Sequence, residues 1–126
     1  MIELHLRVVW ICILLGMATG AMKGMFFHRE DWLGGYGSWE RRLLRLAHIS
    51  FFGFAFLNLA FANTVSLLGG SRYAPWMSRA FLMGAVLMPA ICYLAAWKKP
   101  LRLLFYPLVT GLLSAAVFFI IGGIKP

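Results

Sequence analysis

Carboxylates are the scarcest chemical group in this chain. Glu3, Glu30, Asp31 and Glu40 are its 4 acidic residues, set against 12 Lys and Arg, and none of them falls inside an apolar run. Ion-coupled pumps and transporters carry an intramembrane carboxylate as a rule, and a carboxylate-bridged di-metal site needs several, so both classes are disfavoured from the start. Cysteine is nearly as rare. Cys12 and Cys92 stand far apart with no CxxC pair, which excludes a disulfide framework and gives no zinc signature. The chain also lacks a Gly-rich phosphate loop and a nucleophile elbow, the marks of nucleotide binding and serine-hydrolase chemistry.

Charge of either sign is sparse, at 13% of residues, while 62% are hydrophobic. A water-facing domain has about 25% charged and roughly 45–50% apolar residues. Between Lys and Arg the uncharged runs are 8–22, 46–71, 80–97 and 103–124, together 81 of 126 residues. A membrane-crossing helix needs about 20 apolar residues. The sequence therefore predicts an all-α integral membrane four-helix bundle, a single domain covering 1–126, with spans at about 6–27, 43–68, 76–97 and 101–123 and an interfacial loop at 28–42.

The net charge of +8 does not signal nucleic acid in such a chain. The basic residues cluster at the ends of the spans, where they meet lipid headgroups and set orientation. Lys23, Arg29, Arg41, Arg42, Arg45, Lys98, Lys99 and Arg102 lie in or beside loops one and three, against Arg7, Arg72, Arg79 and Lys125 on the other side. That bias predicts a multi-pass protein of a bacterial inner membrane with both termini outside. Val8 to Leu15 followed by Ala18-Thr19-Gly20-Ala21 has the outline of a signal peptide, but Glu3 and His5 in the leader, with Arg7 its only clear positive charge, favour retention of this segment.

In span one Gly16, Gly20 and Gly24 recur at four-residue steps, and Cys12 and His28 extend that stripe at either end. Such a face admits a close backbone approach, within the chain or between copies. Lys23, near the end of the span, is expected to snorkel toward the headgroups. Loop one, HREDWLGGYGSWERR, is read as an interfacial turn with internally paired charges, or as a cover over a bound cofactor, with Ser38 as the N-cap of span two.

Span two carries the candidate chemistry. At about 100° per residue, His48, Ala55, Ala62 and Ser66 share one face, flanked by Asn58 and Asn63, while Phe54, Leu57 and Phe61 are expected to face lipid. A histidine within an apolar span is costly and marks a candidate site. His48 is open to three readings: a hydrogen bond joining two helices, an axial ligand of haem b, or a quinone or other metal site. Cys12, Met17, Met22, Met25, Met83, Met88 and Cys92, with His28 as the one imidazole among them, add a ligand set suited to copper, without a tight motif.

The stretch Leu43-Leu44-Arg45-Leu46-Ala47-His48-Ile49-Ser50, followed by FFGFAFLNLAFA, resembles the second helix of subunit I of haem–copper oxidases, especially their cbb3-like branch. It is also similar to small four-helix bacterial membrane proteins with a histidine early in helix two. The resemblance covers about a sixth of the chain and implies that His48 is an axial ligand of a low-spin haem. The copper-site histidines of that family have no counterpart, so oxygen reduction is not implied. Its second low-spin ligand comes from a late helix that this chain lacks. The candidates here are His28, Met83, Met88 or His48 of the partner subunit, and His28 lies at a different depth from His48.

The expected function is thus a small, non-catalytic haem-binding or accessory subunit of electron transport, as a homo-oligomer or as part of a larger membrane complex. The contrasting expectations are a scaffold without cofactor, whose His48, Asn58 and Asn63 join helices, and a dimeric small permease. The length matches the small multidrug transporters, but the first-helix glutamate that their proton exchange requires is missing.

Overall fold

The computed structural model describes residues 1–70 and 72–123; Lys125 of the charge count lies outside the described residues. Helix covers 88% of the described residues, with no strand among them. The order is α1 (Ile2–Phe27), a 3-10 turn (Trp32–Gly34), α2 (Trp39–Leu68), α3 (Ala74–Trp97), a 3-10 turn (Lys99–Leu104) and α4 (Phe105–Gly123). Four helices are long and apolar enough to cross a membrane.

Local chemistry explains the boundaries. Ser38 caps α2 as expected, its hydroxyl accepting from the Arg41 N–H, so α2 starts four residues earlier than the apolar run alone indicates. At its far end Gly69 stops α2 with φ 79°, a conformation that suits glycine. The fourth span opens as a 3-10 turn around Pro100, and regular helix begins only at Phe105, with Pro107 in the first turn where a missing N–H costs little. α3 continues through Pro89, which is buried.

Helix α2 lies between α1 and α3, and α4 packs chiefly on α3. This arrangement overturns the expectation for two aromatic residues. Phe61 is 2% exposed and Phe54 6%, so both face the bundle; only Leu57 of that trio is exposed. On the face expected to point inward Ala55 and Ala62 are buried but Ser66 is exposed; the helical wheel groups residues by angle, whereas a central helix has neighbours on more than one face. Phe54 enters the space left by Gly84, where a Cβ would collide with its ring. Phe61 joins Val65, Ala74, Met77, Phe81, Ala115 and Phe119 in one apolar cluster.

The outer surface is apolar. Trp10, Leu14, Phe56, Leu67, Val86 and Ile121 are among many large exposed side chains. In water this would form a patch far beyond what a monomer displays; it is the surface that hydrocarbon requires. Trp76 and Trp97 stand exposed at opposite ends of α3, where aromatic belts lie.

Candidate functional site

His48 stands ten residues after the Ser38 cap, about 15 Å along α2. There it faces α1 at Gly20. A Cβ on Gly20 would sit 2.5 Å from His48 Cε1, so the glycine makes room for the imidazole; Gly16 does the same for the Phe52 ring. Gly24 has open space beside it. The glycine stripe is therefore occupied by side chains of α2 over two of its three steps.

His48, Gly20 and Gly24 line a recess of about 300 Å³ together with Lys23, Phe27, Arg45 and Ile49. His48 Nδ1 is buried and has no hydrogen-bond partner among the described residues. Two cations thus flank an imidazole that the fold does not use to join helices. Lys23 does not snorkel outward: its Nζ donates to the Leu44 carbonyl (2.7 Å) and lies over the Tyr93 ring at 5.1 Å. Arg45 donates to the Tyr36 carbonyl of loop one (2.8 Å).

The remaining candidate ligands lie elsewhere. His28 is exposed at the end of α1 and does not line the recess. Met83 borders a different groove, and Met88 packs beside the cluster holding Cys12. Both cysteines are free and buried. No group of three His, Cys, Asp or Glu side chains comes together among the described residues. Asn63 is exposed.

The helix-joining role falls to a histidine that sequence reasoning passed over. His5 is fully buried and touches α2 and α3 at once. Asn58 Nδ2 donates to the Phe54 carbonyl (2.7 Å), which leaves its Oδ1 as acceptor toward His5 Nδ1 at 2.6 Å. His5 Nε2 then accepts from the Ser78 hydroxyl at 2.8 Å. Both ring nitrogens are satisfied in one neutral tautomer, and Phe61 packs against the ring at 4.6 Å. A signal for this existed. His5, Val9, Cys12 and Gly16 share a face at about 100° per residue, so extending the glycine stripe toward the N-terminus leads directly to His5.

Loop one is held by a buried cation. Arg41 is fully buried, and its guanidinium donates to the carbonyls of Arg29 and Trp32 while facing the rings of Phe27, Trp32 and Tyr36. The expected internal pairing of charges is not what closes the loop. Among the described residues the ion pair present is Arg7–Glu3, one turn apart on α1, and the acids of loop one take no part. Backbone carbonyls and aromatic faces replace them.

Fold and recess together define an all-helical protein with four membrane-length helices and a basic, histidine-bearing recess near one end. Comparison with protein-family models, with curated proteins and with solved structures finds no match to this chain.

Proposed function

We propose that this protein is a small, non-catalytic subunit of electron transport whose His48 recess takes haem b. It sits in a bacterial inner membrane with both termini outside. The observation that supports this reading is the spare imidazole: His48 is positioned in the bundle against α1, yet its Nδ1 has no hydrogen-bond partner among the described residues. Lys23 and Arg45 beside it suit the carboxylates of such a cofactor.

The residues fit one side of the group. One copy of the chain would offer one imidazole, that of His48, and a recess of about 300 Å³ would take an edge of the group rather than the whole. The second ligand and the remaining wall then come from another copy or from a larger complex. Bound there, haem would supply one-electron transfer, while the chain binds and orients it and keeps water away.

One feature favours a second reading, a scaffold without cofactor: the His48 ring fills the gap above Gly20 as a packing wedge. Optical spectra of detergent-purified protein from haem-fed cells, oxidised and dithionite-reduced, separate the two. The proposal expects a Soret band with sharp reduced α and β bands, lost in His48→Ala. A flat spectrum from folded wild type, or an unchanged spectrum in the variant, sinks it.

A further inference from the structure

A second recess, independent of His48, runs along the seam between α3 and α4 and encloses about 560 Å³. The two helices meet where Ala115 and Phe119 pack on Met77 and Phe81, and they are linked by the 3-10 turn at the other end. Between these points they part. Met83 and Leu87 of α3 face Leu108 and Gly111 of α4 across the gap, and a Cβ on Gly111 would meet nothing within 4 Å. The gap is apolar along its length and open to the lipid side.

One charged side chain lines it. Arg79 is exposed and makes no ion pair among the described residues. It lies five residues into α3, about 7 Å below the helix start, and close to Trp76, the belt residue of that end. At that depth a guanidinium extends to the phosphate layer while its stem stays in hydrocarbon. From Arg79 to Leu94 the apolar wall continues for about 22 Å at 1.5 Å per residue.

A positive head on a narrow apolar trough matches a negative head on a long apolar chain. We propose that the α3–α4 recess is a site for one anionic phospholipid of the bilayer, with its phosphate on Arg79 and an acyl chain between the helices. Charge selects the headgroup, since planar guanidinium and phosphate pair through two hydrogen bonds.

Native mass spectrometry of the full chain in detergent, with phosphatidylglycerol or phosphatidylcholine added, tests the site. Wild type is expected to retain one phosphatidylglycerol about fivefold better than phosphatidylcholine, the ratio one basic residue gives near an anionic surface. Arg79→Gln is expected to bring the two lipids to equal retention. Gly111→Leu, a better helix former that fills the trough, is expected to lose both. Arg72→Gln, an exposed base at the same end, keeps the wild-type ratio. Equal retention of the two lipids by wild type overturns the proposal, as does an unchanged ratio in Arg79→Gln. So does rapid disulfide dimerisation of Met83→Cys in a lipid-saturated bilayer, which would put a second copy in the trough.

Discussion

Two histidines stand at opposite ends of the same bundle under opposite conditions. His5 has both ring nitrogens engaged, by Asn58 and Ser78, and ties three helices together. His48 lies against one neighbouring helix, with a buried Nδ1 that nothing in the described chain satisfies. An unpaired buried polar group costs about 1–3 kcal/mol, so the fold gains from the first imidazole and tolerates the second. Position inside an apolar span is therefore a poor guide to role. What separates a structural histidine from a spare one is whether its nitrogens are already used.

The largest effect is expected where that network is cut. Asn58→Leu keeps the bulk but strips the partner from His5 Nδ1, and the unfolding free energy in detergent should fall by about 1–3 kcal/mol. A fall below a few tenths would mean that the triad is not what holds α1 to α2 and α3. At the other end the test is steric. Gly20→Ala forces a methyl group against the His48 ring, where overpacking costs about 1–3 kcal/mol, and His48→Ala in the same chain should relieve most of it. Additive losses in the double variant would show that the two residues do not meet. Smallest is Gly24→Ala: with open space beside it, the change should be neutral or stabilising by up to about 1 kcal/mol from helix propensity. A loss comparable to that at Gly20 would show that a neighbour covers this step of the stripe.

Much of the fold can be read from residue order. Uncharged runs locate all four helices, and Ser38 marks the start of α2. The ends of the helices differ for local reasons, chiefly the 3-10 turn that Pro100 opens ahead of α4. The site is less legible. Gly16 and Gly20 are identifiable as a close-approach face, but not what fills it, because periodicity places residues on faces without naming the neighbour. The same limit hid the burial of Phe54 and Phe61, since a wheel cannot show that α2 is central. Asn58 and Asn63 look alike in sequence, yet one is fully buried and the other exposed. Arg41 is the clearest case. Its partners are carbonyls and rings brought together by the turn after α1, and no charge pattern announces them.

The division of labour between the two imidazoles is tested most directly by unfolding His5→Ala and His48→Ala side by side in one detergent. The account predicts that His5→Ala loses at least about 1 kcal/mol more than His48→Ala, because it strands Asn58 and Ser78 as well as removing its own contacts. Equal losses, or a greater loss for His48→Ala, would contradict it and make His48 the structural histidine.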